Sequence, residues 1–158
     1  METALMADDE IKTSAEAMEA AAMRPAGAAT CDSDAHPTEL EPLPEAVTKR
    51  PVDEKSPAEW AYERLVHYIQ NFEKNLNPEE EAALGFAGSD AGLIRIMGLG
   101  FFAPDMISYY GVDPTGHRTQ LIQHVSQLNV ALRAVPKQQK DAPAQRIGFR
   151  LAADLEKS

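Results

Sequence analysis

Apolar residues recur every three to four positions between residues 56 and 76, which is the spacing of one face of a helix. The segment opens with Ser56, Pro57 and Glu59, which supply an N-cap, a first-turn proline and the acid of a capping box. We therefore predict an amphipathic helix of about five turns that needs a surface to lie on. Its apolar face is Ala61, Leu65, Tyr68, Ile69, Phe72 and Leu76, and its polar face is Glu63, Arg64, Gln70, Asn71 and Lys74.

The next segment repeats the start signal on a smaller scale. Asn77 precedes Pro78, Glu79 and Glu80, so a cap is again followed by a proline and acidic residues. Gly85 would end the helix. We predict a short second helix here.

From Gly92 onward the apolar period changes to two, and β-branched residues become frequent, as is typical of strands. The run 128–135 fits both a helical and an alternating pattern, and we favour a strand. In the last run Ile147, Phe149 and Leu151 alternate with arginine and glycine. The predicted strands cover residues 93–97, 106–110, 118–125, 128–135 and 145–151.

Two glycine-containing segments separate these strands. In Asp113-Pro114-Thr115-Gly116, proline presets one φ, aspartate bonds to the turn backbone and glycine takes a positive φ, so we predict an antiparallel hairpin. Gly98 and Gly100 predict a bend or bulge. A phosphate loop is not indicated, because neither a third glycine nor a helix start follows.

The net charge of −10 lies outside this predicted domain. Residues 55–151 contain ten basic and ten acidic residues, whereas residues 1–54 contain four basic residues, thirteen acidic residues and no aromatic residue. Such a segment buries too little apolar surface to offset the entropy of ordering its backbone. We predict a disordered acidic tail over 1–54, a single domain over 55–151 and a short disordered tail over 152–158. A chain that begins near Asp53 should then keep its melting temperature.

Within the predicted tail, residues 8–23 carry an Ile and Met stripe at helical spacing. A fraying alanine-rich helix is one interpretation, and a short motif that docks into a groove of a partner is the other. For the domain we predict the α+β class, with an N-terminal amphipathic helix packed on a small, curved antiparallel sheet of four to five strands.

Several chemistries lack the residues they need. Cys31 is the only cysteine, so no intramolecular disulfide is possible and a cytoplasmic location is expected. There is neither a signal-peptide pattern nor an apolar stretch of about 18 residues, which argues against export and membrane insertion. No histidine has a second ligand at metal-binding spacing, and Ser126 near His124 lacks the third group of a catalytic triad. We predict no metal, no cofactor and no catalysis.

The segment with the most functional content is 121–128, where Gln123, His124 and Gln127 interrupt an apolar run. These side chains either bond to the local backbone at a strand end or form a recognition edge. In the second interpretation, Tyr109 and Tyr110 supply stacking surfaces and Arg118 a positive charge.

Five segments of the span from Ser56 to Leu151 resemble a family of small uncharacterised bacterial proteins described only as a domain of unknown function. The family resemblance implies no activity. The segments are Pro57-Ala-Glu-Trp-Ala-Tyr-Glu-Arg-Leu65, Ala103-Pro-Asp-Met-Ile107, Leu121-Ile-Gln-His-Val-Ser-Gln-Leu128, Ala134-Val-Pro-Lys137 and Arg146-Ile-Gly-Phe149.

Two shorter segments, Gln123-His124-Val125-Ser126 and Val135-Pro136, resemble Sm-like RNA-binding proteins. Those proteins have an N-terminal helix, five strongly bent strands and a strand motif Tyr-Lys-His-Ala-Ile-Ser. Gln123 replaces the lysine of that motif, and the chain has extra residues around Pro104 and no basic patch nearby. The resemblance implies RNA binding by a ring of subunits.

These observations predict a non-catalytic binding or assembly domain of unknown ligand that associates with itself or with a protein partner. An Sm-like RNA-binding protein is the alternative, and a small-molecule enzyme comes third.

Overall fold

The structure is a computed structural model that describes residues 27–32, 34–48, 54–86 and 92–157. Its strands form one five-stranded antiparallel sheet in the order β4-β3-β2-β1-β5, so β4 and β5 are the edges. The α+β class is therefore confirmed. The elements are α1 (Glu45–Thr48), α2 (Pro57–Lys74), β1 (Glu80–Phe86), β2 (Leu93–Phe102), β3 (Met106–Val112), β4 (Arg118–His124), β5 (Val130–Pro136) and α3 (Gly148–Lys157), with 3-10 turns at Thr38–Leu40 and Val125–Gln127.

Helix α2 begins where the capping signal predicts. The Ser56 side chain accepts a hydrogen bond of 3.1 Å from the Glu59 N–H, and Pro57 is the first helical residue. The predicted faces are partly wrong, because Tyr68 is exposed whereas Glu63 and Asn71 are buried. A helix can bury polar residues only where they find partners, and α2 finds them in segments that flank it in sequence.

One of these partners is Lys55, whose buried amino group lies 3.1 Å from a Glu63 carboxylate oxygen and 4.2 Å from the centre of the Trp60 ring. The same amino group donates to the carbonyl of Val47, a fully buried residue of α1. Lys55 thereby links α1 to α2.

The other partner lies further upstream. The Asn71 side chain donates to the His36 carbonyl at 2.8 Å and to the Thr38 hydroxyl at 2.9 Å. Residues 34–48, which the sequence analysis assigned to the tail, thus contact α2, and α2 is not the N-terminal element. The predicted motif at residues 8–23 lies outside the described residues.

The predicted helix over residues 77–85 is wrong, because residues 80–86 form strand β1. This strand lies between β2 and β5, and four consecutive residues from Glu81 to Leu84 are buried. For the run 128–135 the predicted strand is confirmed, because β5 covers residues 130–136. Burial on both faces of a central strand outweighs the helix propensity of Glu, Ala and Leu.

The two glycine-containing segments form the structures that they predict. Asp113 accepts hydrogen bonds from the Thr115 and His117 N–H groups, Gly116 has φ of +88°, and β3 and β4 pair as an antiparallel hairpin. The β2–β3 register shifts between Ile96 and Gly98, which is the predicted bulge.

The predicted C-terminal strand over residues 145–151 is wrong, because residues 148–157 form helix α3. Ile147 and Leu151 are buried and Leu155 is partly buried against the core, at the i, i+4, i+8 spacing of a helix. A Cβ at Gly148 would lie 2.7 Å from the Gln70 Cα, so glycine allows α3 to approach α2 closely. The helix includes residues 152–157, which the sequence analysis placed in a disordered tail.

Candidate functional site

The most exposed apolar surface of the described domain lies on the sheet. Ile107 and Tyr109 of β3 are buried in the core with α2, so the alternate residues of β3 face the opposite way. We call that side, on strands β2, β3 and β4, the outer face. Its cross-strand rows are Gly98–Tyr110–Gln120, Gly100–Ser108–Ile122 and Phe102–Met106–His124.

Three large apolar side chains of the outer face are open to solvent. Phe102 is 78% exposed, Ile122 61% and Tyr110 44%. They surround a groove of about 300 Å³. A single exposed apolar residue needs no explanation, but a contiguous group around a concavity is typical of an interaction site.

Two glycines lie beside this groove. Cβ atoms at Gly98 and Gly100 would each lie 3.6 Å from the nearest Tyr110 side-chain carbon, so the tyrosine lies across both residues. A ring over cross-strand glycines covers the exposed backbone. Gly100 is the one of the two that lines the groove, and Ser108 and Gln120 are the polar residues of a mostly apolar lining.

The structure does not bring the six predicted binding residues to one surface. Tyr110, Arg118 and His124 lie on the outer face, whereas Tyr109 and Gln123 lie on the inner side of the sheet. The buried Tyr109 hydroxyl donates to the Gln123 amide oxygen at 2.7 Å. Burial raises the pKa of Tyr109 well above its usual value, so the hydroxyl stays protonated as the donor.

The sixth residue, Gln127, belongs to a capped 3-10 turn that follows β4. Its side-chain oxygen accepts from the His124 N–H at 2.9 Å, while His124 Nδ1 accepts from the Ser126 N–H at 3.0 Å. Hydrogen bonds within the turn and to Tyr109 thus engage the Gln123, His124 and Gln127 cluster. This arrangement corresponds to the first of the two interpretations of the cluster, in which its side chains form local hydrogen bonds at the end of a strand.

A serine, a histidine and a carboxylate do line up at this turn. The His124 ring lies 2.8 Å from Ser126 Oγ through Nδ1 and 3.1 Å from Asp105 Oδ2 through Nε2, so Asp105 supplies the third group that the sequence did not reveal. Because Nδ1 accepts the Ser126 N–H, the Nε2–H is the ring group that faces the Asp105 carboxylate.

The Ser126 N–H is itself bonded to His124 Nδ1, and the Gln127 side chain accepts from the His124 N–H. These hydrogen bonds cap the 3-10 turn at Val125–Gln127.

Sequence reasoning missed the exposed Phe102 and Ile122 and the groove-lining Met106. One signal was available. Gln120, Ile122 and His124 alternate along a strand, and the hairpin turn sets the register that places Ile122 in the row next to Tyr110. The position of β2 beside them required the tertiary structure.

A second concavity, of about 510 Å³, lies where residues 34–39 cross α2 and face β5. Its lining includes Tyr68, Asn71 and Leu132. None of the predicted binding residues lines it. Among the described residues, no group of three or more His, Cys, Asp or Glu side chains is placed to hold a metal ion. Within the same ranges, no helix has the length and apolar character needed to cross a membrane.

No curated protein and no solved structure is significantly similar to this chain. One family model matches it, over residues 51–150, which include α2, all five strands and the start of α3. That family is described as a family of unknown function, and its extent agrees with the resemblance seen in the sequence. The chain therefore belongs to the family of unknown function DUF6173.

Proposed function

We propose that this protein is a non-catalytic binding or assembly domain whose contact surface is the outer face of the sheet. The observation that carries the proposal is the exposure of Phe102, Tyr110 and Ile122 around one apolar groove. Removing exposed apolar surface from water is favourable by roughly 25 cal/mol per Å², and most of the Phe102 ring and nearly half of Tyr110 are available for this.

The size and lining of the groove support a macromolecular contact or a small apolar group. A volume near 300 Å³ is at the lower end of the range of small-molecule sites. The polar groups beside it are few, and the His124–Asp105 pair at its border is engaged in the turn cap. Such a surface selects partners by shape and apolar area.

The test compares Phe102→Ser with Leu40→Ser. Leu40 is a matched control, because it is 62% exposed and lies on the 3-10 turn beside α2, on the other side of the sheet. Light scattering should give a multiple of 17.3 kDa for the unaltered chain, and an apolar fluorescent probe should bind saturably. Phe102→Ser should weaken association or probe binding by roughly tenfold or more, and Leu40→Ser should not.

Both variants should keep the melting temperature, because both side chains are largely outside the core. A strictly monomeric chain that binds no probe would contradict the proposal. Equal effects of the two substitutions would also contradict it, since they would locate the activity elsewhere.

An Sm-like RNA-binding function is the second candidate. What favours it is the arrangement of a long helix followed by five antiparallel strands, with Gln123 to Ser126 where the fourth strand passes into a 3-10 turn. The exposed Tyr110 and Phe102 rings offer flat surfaces on which bases could stack, and Arg118 lies on the same face.

Labelled uridine-rich and adenine-rich oligonucleotides, titrated at two salt concentrations, test this candidate. RNA binding should weaken as salt rises, because phosphate contacts release counterions, and Tyr110→Ala should reduce it. The ratio of absorbance at 260 and 280 nm would reveal nucleic acid that copurifies. Absence of binding at low salt would remove the candidate.

A further inference from the structure

The two edges of the sheet differ in how open they are to pairing. The Asp113 N–H donates to the His117 carbonyl at the start of the hairpin, and hydrogen-bonded pairs alternate from there along β3 and β4. The alternation directs the backbone groups of Arg118, Gln120 and Ile122 away from β3, toward the open edge. Among the described residues, the Gln127 side chain covers one such group at the end of the strand, where it accepts from the His124 N–H.

Strand β4 also lacks the features that usually protect an edge. Its seven residues include no proline, no bulge and no acidic residue, and Arg118 at its start is the only Lys or Arg. Strand β5 ends in Pro136, which has no N–H, and carries Arg133 in its middle. An unprotected seven-residue edge is a template for another strand.

We propose that the occupant of this edge is a second copy of the chain, joined β4 to β4 in antiparallel register about a two-fold axis at Leu121. The inference rests on the proposed function, because it names a partner for the assembly, and it adds the β4 edge to the outer face as a contact surface. In this register all seven residues of each strand face a partner, and the open backbone groups of Gln120 and Ile122 exchange hydrogen bonds across the axis.

The charges on the strand are complementary in the same register. Arg118 of one copy lies opposite His124 of the other, and the His124 ring is bonded to the Asp105 carboxylate. That carboxylate is 42% exposed and so remains open to a guanidinium. Two symmetry-related Arg118–Asp105 attractions would therefore flank the axis and select this register over its neighbours.

Two proline variants of the full-length chain test the edge. Gln120→Pro removes an N–H that faces the open edge and leaves the β3–β4 ladder intact. Ala134→Pro is the control on β5, where the Lys137-to-Glu79 backbone bond sets the same alternation and turns the Ala134 N–H outward. Sedimentation equilibrium should give twice 17.3 kDa for the unaltered chain and for Ala134→Pro. Dissociation should become roughly 30-fold easier in Gln120→Pro, since one main-chain hydrogen bond is lost from each copy.

Charge reversal tests the register. Arg118→Glu should weaken the dimer by roughly tenfold, and combining it with Asp105→Lys should restore the affinity. Circular dichroism checks that every variant remains folded, and a variant that unfolds is replaced by Arg118→Pro, which removes another N–H of the open edge at a residue that does not line the groove. The dimer should also weaken as salt rises, because exposed ion pairs are screened.

The inference would be overturned by a monomer, by a dimer unaffected by both Gln120→Pro and Arg118→Pro, or by a double charge variant that fails to regain affinity. Loss of assembly in both Gln120→Pro and Ala134→Pro would also overturn it, because it would indicate head-to-tail pairing of β4 with β5. The probe-binding test at Phe102 uses only the unaltered chain, Phe102→Ser and Leu40→Ser, so this inference can fail while the proposed function stands.

Discussion

At the scale of single residues, the buried polar groups explain why the helix faces were misjudged. Lys55, Glu63 and Asn71 have the polarity of surface residues, yet all three are buried and each has a polar partner more than one helical turn away in sequence. Burying such groups is costly when they are unpaired and tolerable when they are hydrogen-bonded. Their burial therefore depends on partners that helix periodicity does not identify.

Glu73 is the residue for which this burial predicts a measurable effect. Its carboxylate accepts from the Ile147 N–H at 3.1 Å and from the Gly148 N–H at 2.6 Å. Burial raises the pKa of Glu73 above its usual 4.5, and the two N–H groups and the Arg146 charge only partly oppose this effect. We expect carbon-13 NMR to show the carboxyl titrating above 4.5.

The sign of the effect on stability follows from linkage. Because the pKa of Glu73 is higher in the folded chain, its contribution to the free energy of unfolding is complete below pH 4.5 and is lost as pH rises through the raised pKa. The free energy of unfolding of the natural chain, relative to Glu73→Gln, should therefore fall over that window. A carboxyl that titrates at or below its usual pKa would refute this assignment.

At the scale of elements, local signals predicted the start of a helix and the position of a turn more accurately than they predicted whether a segment is helix or strand. The Ser56 cap and the hairpin turn at Asp113 act through atoms a few residues apart, so both formed as predicted. The residues of β1 have helix propensity, but their pairing with β2 and β5 decided the outcome.

The error at α3 has a different origin. If the segment is considered only up to Leu151, it contains three alternating apolar residues, which is the pattern of a strand. Extending it to Leu155 shows the i, i+4, i+8 pattern of Ile147, Leu151 and Leu155 that packs on the core. This error was avoidable from the sequence.

At the scale of the whole molecule, the N-terminal segment changes the boundary of the folded unit. Val47 is fully buried and its carbonyl accepts from the Lys55 amino group, while His36 and Thr38 bond to Asn71. The sequence alone predicts that a chain starting near Asp53 keeps its melting temperature. We expect a lower melting temperature instead, because that truncation removes core and leaves buried polar groups unpaired.

Two substitutions measure this contribution in the full chain. Val47→Ala should lower the free energy of unfolding by roughly 1–3 kcal/mol, since buried methyl groups are lost. Leu43→Ala is the control, because Leu43 is 39% exposed, and it should change that free energy by about 0.5 kcal/mol or less. Chemical denaturation gives both values, and a truncation before Glu54 should cost at least as much as Val47→Ala. Equal stability of the truncated and full chains would show that the segment does not belong to the folded unit.

For the candidate site, the sequence identified Tyr110, Arg118 and His124 of the outer face but not Phe102, Met106 or Ile122, which accompany them. Register within the β3–β4 hairpin is local and could have been inferred from the turn. The approach of β2 and the exposure of its last residues depend on β1 ending its pairing early. Only the tertiary structure shows that the groove exists.

The sequence by itself determined the start of α2, the hairpin turn, the bulge at Gly98 and the α+β class, because each depends on contacts between neighbouring residues or on the dominant period of a segment. The tertiary structure decided that residues 80–86 are a central strand, that Lys55 and Asn71 are buried and that β4 is an open edge. These features depend on which distant segments meet, and burial and hydrogen bonding across such contacts outweigh local preference.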